Sequence, residues 1–245
     1  MKAIAIYSGK GGVGKSTIAV HLAHLAATRS ARRTLLWDLD AQGASTFALR
    51  LAPRPGLSAR RIFAREAEIA DQALGTDLPN LDVVPADASL RRLDAQLAEQ
   101  DKKGRLKKLL RALGERYDRI VLDCPPSQAD LSEQIFRAVD LLVLPLLPSP
   151  LSLRVHAMVV DQVAAQRDGK LPILPVFSLV DRRKSLHRDT VASRPEWPTI
   201  PYSSDIERMA VHGHPVTARA PGSAAARAFS DLWTRVERAL QSSRD

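Results

Sequence analysis

The chain has 245 residues, 45% of them apolar, and its 36 basic against 27 acidic residues give a formal charge of +9. That size and composition can bury one sizeable α/β core, which argues for a single domain over residues 1–245 and against a disordered or fibrous protein. A lone cysteine, Cys124, excludes an internal disulfide; no apolar run approaches the roughly 20 residues that cross a bilayer, and no signal-sequence pattern precedes the first strand-like segment, so a cytoplasmic protein with an anionic partner is expected.

The first predicted strand, Ala3 to Tyr7, runs into "SGKGGVGKST" and then into an amphipathic helical pattern from Ser16 to Thr28. Gly9, Gly14, Lys15 and Ser16 satisfy G-x-x-x-x-G-K-[ST] in the strand–loop–helix setting this motif requires. Glycines let successive N–H groups turn inward toward phosphate oxygens, and the helix adds the positive end of its dipole. Lys15 would reach the β and γ phosphates and the Ser16 hydroxyl would ligate Mg²⁺. Lys10, a second lysine in the same loop, reads on its own as a solvated side chain at a free motif position. His21 and His24 lack a nearby third ligand and read as helix surface or packing.

A second strand, Thr34 to Leu39, carries Asp38 and Asp40 at its end. Strand alternation sends both to one face, where one could assist a metal and the other orient a water; the alternative is a helix N-cap plus a solvated carboxylate. The Pro- and Arg-rich stretch from Pro53 to Arg65 reads as an irregular insertion, followed by a strand from Leu81 to Val84 and a helix from Leu90 to Glu99. Between residues 102 and 119 lies a basic run, Lys102, Lys103, Arg105, Lys107, Lys108, Arg111, Arg116 and Arg119, around a leucine stripe of Leu106, Leu109, Leu110 and Leu113. Such a helix can face a membrane, but packing on the sheet with wet cations is the favoured reading because a core strand follows at once.

That strand, Arg119 to Asp123, ends in the acidic residue a phosphate-binding loop needs for its metal, then in a Pro125-Pro126 turn that cannot continue a ladder. Cys124 reads as a packed thiol. Beyond it come a helix from Leu131 to Val139, a strand from Leu141 to Pro145, a helix from Leu153 to Gln166, and a strand from Leu174 to Leu179. A basic cluster of Arg182, Arg183, Lys184, Arg188 and Arg194 follows, then a weaker strand from Thr199 to Tyr202. The final helix, Ala224 to Leu240, puts Phe229, Leu232, Trp233, Val236 and Leu240 on one face with mixed charge elsewhere, which is a core-packing pattern. Alternating strands and helices with nearly continuous apolar strands predict an α/β fold, a mostly parallel twisted sheet with helices on both faces, as in P-loop NTPases. "SLVD" at Ser178 to Asp181 lacks the lysine of a guanine reader, so adenine and ATP are expected.

Together "KGGVGKST", "DLDAQGAST" and "YDRIVLDCPPS" resemble the signature loop and two switches of the ParA/MinD family of deviant Walker A ATPases, among them the short ParA-type partition proteins. The weaker segments "AVDLLVLPLLPSPLSL", "SLVDRRKSLHRD" and "TIPYSSDIERMAVHGHPV" are similar in position to the family's interface loop, base-proximal strand end and adenine-proximal segment. The resemblance implies that Gly11, Gly12, Val13, Gly14, Lys15, Ser16 and Thr17 bind phosphates, Pro201 and Tyr202 lie by the base, and Ser16, Asp38 and Asp123 support Mg²⁺. It further implies that Asp40 positions the hydrolytic water and that Lys10 reaches the phosphates of a second subunit, making an ATP-dependent homodimer. Arg183, Lys184 and Arg188 become candidates for non-specific DNA contact. An activating partner protein, slow hydrolysis and a nucleoid-associated location are implied as well. A membrane-associated MinD-like protein, or a P-loop metabolic enzyme, is the alternative. Ala41 stands where the family usually has proline, Tyr202 follows Ile200-Pro201 where arginine is common, and Asp205 stands where another basic residue is common.

Overall fold

Short apolar runs that are buried on both faces need a covering layer on each side, and a parallel sheet with crossover helices supplies both. A computed structural model, which describes residues 1–53, 56, 58–64, 68–93, 104–126, 129–167 and 171–242, has this architecture. Its strands are β1 (Lys2–Ile6), β2 (Thr34–Asp38), β3 (Leu74–Gly75), β4 (Leu81–Val84), β5 (Arg119–Asp123), β6 (Leu141–Leu146), β7 (Ile173–Val180) and β8 (Thr199–Pro201). They form one eight-stranded sheet in the order β3-β4-β2-β5-β1-β6-β7-β8, parallel throughout except for the β3–β4 edge pair. β5 lies in register between β1 and β2, so Ile6, Asp123 and Asp38 end level with one another at the C-terminal edge. This edge is where an open parallel sheet builds its ligand site.

Strand alternation divides the core. Ile4, Ile6, Leu36 and Val121 face α1 (Lys15–Thr28) and the last helix, here α11 (Ala224–Ser242), whereas Ala3, Ala5, Leu35, Trp37 and Leu122 face the other layer. The second layer includes α4 (Arg105–Leu113), α5 (Ala129–Ala138) and α6 (Pro150–Arg167). In α4, Leu106, Leu110 and Leu113 are buried and Leu109 packs beside them, in keeping with the sheet-packing reading. Arg105 departs from that reading: it is buried, donating to the carbonyls of Phe63 (2.8 Å) and Ile62 (3.3 Å) instead of pointing to water. Those carbonyls belong to α3 (Ala59–Ala64), a helix inside the stretch read as irregular. It forms because Ile62 and Phe63 have a place to bury, with Phe63 5.7 Å from the Trp37 ring, and because Asp87 accepts from the Ala59 N–H at 2.6 Å. Of the helix expected from Leu90 to Glu99, residues 94–99 lie outside the described residues, and the part before them is a 3-10 turn from Ala88 to Arg92. Lys102 and Lys103 are also outside them.

α1 is not amphipathic, as its pattern suggested, but buried from Ile18 to Ala27, because α11 and the short α10 (Val216–Arg219) cover the side away from the sheet. Both histidines are therefore core. His21 stacks on Phe229 at 3.8 Å and accepts from the Val216 N–H at 3.0 Å, and His24 bonds the Thr217 hydroxyl at 2.8 Å. Burial lowers the His21 pKa to about 3 and that of His24 to about 4. The unfolded chain protonates both near pH 6.5, so the stability they supply is present above that pH and is lost as pH falls toward 4. His21→Ala is expected to cost about 2–4 kcal/mol at pH 7.5 through a cavity and an orphaned N–H. Thermal melts should show the gap from wild type shrinking below pH 6.5, by up to about 1.4 kcal/mol per pH unit; a gap independent of pH would contradict the buried neutral imidazole.

Candidate functional site

Residues 7–14 leave β1 and wrap over the sheet edge before α1 begins. Gly12 and Gly14 hold φ of +70° and +80°, the left-handed region in which a side chain is strained. Gly14 starts α1 with no side-chain cap, and the first turn has no acidic residue, so its N–H groups are available to an anion. Lys15 is 7% exposed and folds back over the loop, its Nζ 3.2 Å from the Lys10 carbonyl. Lys10 is partly exposed, and its ammonium has no hydrogen-bond or ion-pair partner among the described residues.

Beside the loop the structure brings three carboxylates together. Asp123 and Asp38 are fully buried at the ends of β5 and β2. Asp40 lies past the end of β2 in a turn, not on the strand, yet its charge still reaches both neighbours. Asp38 is committed on both oxygens: it accepts from the Asp40 N–H (3.2 Å) and from the Thr46 N–H (2.9 Å) and hydroxyl (2.7 Å). Asp123 accepts from the Ser45 hydroxyl at 2.6 Å, while its second oxygen is buried without a hydrogen-bond partner among the described residues. Burial pushes the Asp123 carboxyl up to about 7, the Asp38 charge adds to this, and the nearby Ser45 and Ser16 hydroxyls oppose it. Burial likewise raises Asp38 to about 6, against the Thr46 and Asp40 hydrogen bonds. An uncommitted oxygen on a buried carboxylate next to the first-turn hydroxyl of α1 fits a divalent cation, since a positive charge there relieves the burial cost of both acids.

Ser45 and Thr46 belong to α2 (Ala44–Ala48), a helix the sequence reading did not assign. The signal was present in "GAST": two hydroxyl residues just after an acidic turn can serve buried carboxylates better than they serve a helix interior. The turn keeps its shape with Ala41 in the place of proline because Asp40 closes it, its side chain accepting from the Gln42 N–H (2.9 Å) and its carbonyl from Gly43 (2.8 Å).

Ser178 on β7 donates to the Val13 carbonyl at 2.7 Å, tying the loop to the far half of the sheet. Beyond that tie opens a cleft lined by Asp181, Arg183, Pro201, Tyr202, Ser203 and Ala224. Tyr202 is 51% exposed there and can offer a ring face to a base. Arg183 projects at the cleft in a bidentate pair with Asp181 (2.8 and 2.9 Å), so its charge is locally compensated. Arg188, on α7 (Ser185–Ala192), donates to the carbonyls of Arg182 (3.0 Å) and Arg183 (3.2 Å) and braces the loop, while Lys184 is exposed at the start of that helix. Cys124 is buried with its pKa raised by burial, as a packed thiol would be.

A glycine-turned loop on a central parallel strand, a buried lysine folded over it, and an acidic residue closing the adjacent strand define a P-loop nucleoside triphosphatase fold. Comparison with known proteins narrows the class. An AAA domain family model matches residues 1–170. The chromosome partitioning protein ParA of Caulobacter vibrioides is 32% identical over 198 residues, which are 76% of this chain and 72% of that one. The chromosome-partitioning ATPase Soj of Treponema pallidum is 30% identical over 244 residues, 94% of this chain and 95% of that one. Among solved structures, an ATP complex of Cyanothece McdA superposes with a TM-score of 0.84 at 22% identity, over 97% of this chain and 96% of that one, and shares the fold. The chain belongs to the ParA/MinD family of P-loop ATPases.

Proposed function

We propose that this chain hydrolyses ATP with Mg²⁺ slowly, dimerises in the ATP state, holds non-specific DNA as a dimer, and so positions or segregates DNA or a protein cargo under the control of an activating partner. The observation that carries this reading is the unequal fate of the loop's two lysines: Lys15 is folded over its own loop, and Lys10 has no partner among the described residues. A cation at the mouth of a phosphate site, unused by that site, suits the phosphates of a second copy, where it would compensate charge buried by dimerisation. Ser16 and Asp123 would hold Mg²⁺, whose positive charge lowers the repulsion among phosphate oxygens. Asp38, whose oxygens accept from Thr46 and the Asp40 N–H, would support the cation through its charge. Asp40 is the carboxylate left to orient a water.

Asp40→Ala should therefore bind ATP, dimerise and stay dimeric, with turnover reduced on the order of 100-fold or more. Phosphate release measured beside sedimentation checks this, and wild-type turnover would remove Asp40 from the role. Exposed cations such as Lys184 and Arg194 become doubled in a dimer, which suits phosphate backbones. Retention on immobilised duplex DNA should thus require ATP and fall steeply with salt. ATP-dependent retention on anionic liposomes without retention on DNA would instead assign the surface to a membrane. No helix among the described residues is long and apolar enough to cross one.

A further inference from the structure

The inner face of α2 holds the site carboxylates through Ser45 and Thr46, and its outer face is apolar and bare. Phe47 is 70% exposed there, beside Val211, 64% exposed, on the short α9 (Met209–His212). Leu51 and Ala210 complete the floor of a groove of about 600 Å³ between the two helices. The groove is a built feature. Arg50 adopts a left-handed φ of +54°, donates to the Val211 carbonyl and lies flat on Gly213, where a Cβ would come within 2.8 Å of its side chain. Gly213 itself holds φ +77°, where any other side chain would be strained.

The rim is basic. Arg50 lines the groove, and Arg208, His212 and Arg219 are exposed on α9 and the segments beside it; burial first, and then the charges of Arg219, Arg208 and Arg50, lower the His212 pKa, which puts these three cations close together. None of these arginines forms an ion pair among the described residues, whereas neighbouring His214 hydrogen-bonds Asp77 at 2.8 Å. An exposed aromatic anchor inside a polar rim is the anatomy of a protein–protein hot spot. The sign of the rim selects the partner. A second copy meeting this face about a two-fold axis would set arginine against arginine, and duplex DNA would use the rim while leaving Phe47 and Val211 wet.

We propose that this groove docks an acidic amphipathic segment of a partner protein, a large apolar side chain flanked by Asp or Glu. Docking itself does not depend on the nucleotide reading above, so the test uses nucleotide-free protein. A phage-displayed random peptide library would be depleted on the Phe47→Ala, Arg208→Glu double variant and then selected on wild type. Phe47 and Arg208 are exposed, so the fold should survive, as unchanged melting would verify. Enriched peptides should carry an aromatic or large aliphatic residue between carboxylates. A synthetic member should bind at least about 10-fold more weakly to either single variant, and more weakly in high salt. Absence of enrichment, basic or uncharged winners, displacement of the peptide by duplex DNA, or self-association that Phe47→Ala abolishes would each overturn the proposal.

Discussion

Asp123→Asn is expected to raise the stability of the nucleotide-free protein and, on the proposed function, to cut its Mg²⁺-dependent turnover in the same step. Asp123 is buried with one oxygen unpartnered among the described residues and its carboxyl raised to about 7 by burial, so ionising it in the folded state is unfavourable. The unfolded chain ionises this group near pH 3.9, so folded protein binds more protons between about pH 4 and 7, and its stability falls as pH rises through that window. Asparagine can still accept from Ser45 and carries no charge to bury, while its amide N–H groups, placed where the oxygen lacks a partner, offset part of the gain. The gain should be near zero at pH 4 and reach about 1–3 kcal/mol by pH 7.5, several degrees in melting temperature for a domain of this size. Activity should drop at least 10–100-fold, since the cation would lose a carboxylate oxygen. A variant that melts below wild type at pH 7.5, or keeps Mg²⁺-dependent turnover, would show that Asp123 is a structural acid.

Much of this arrangement is legible in the sequence because it is local. The loop motif, the strands on either side and the acid closing β5 each occupy one uninterrupted segment, and apolar runs fix strand positions to within a residue or two. What stays hidden depends on contacts far apart in the chain. α3 exists because Phe63 meets Trp37, and the buried charge of Arg105 is invisible until the α3 carbonyls lie above it. The two-residue strand β3 has too little pattern to find. Asp38 and Asp40 look equivalent at alternate positions, but β2 stops at Asp38, and Thr46 then separates a buried, bonded carboxylate from one left in a turn. Likewise the basic cluster after β7 reads as a uniform charge patch, whereas Asp181 neutralises Arg183 and loop carbonyls occupy Arg188.

Lys10→Ala is expected to separate nucleotide binding from dimerisation. Lys15 and the loop amides remain in place to hold ATP, so affinity for nucleotide should change little. In the proposed ATP dimer each interface would lose the cation facing the phosphates of the other copy, and a buried charge left unmatched costs about 3–5 kcal/mol. That weakens the dimer on the order of 100-fold or more. Lys10→Arg would keep the charge but place it in a wider, planar head, and should restore dimerisation only in part.

The proposed dimer depends on where the charge of Lys10 goes, and sedimentation velocity with Mg²⁺ and a slowly hydrolysed ATP analogue reads this most directly. Wild type should sediment as a dimer and Lys10→Ala as a monomer with nucleotide bound. Dimers of equal strength in both proteins, or a wild type that remains monomeric when saturated with the analogue, would contradict it.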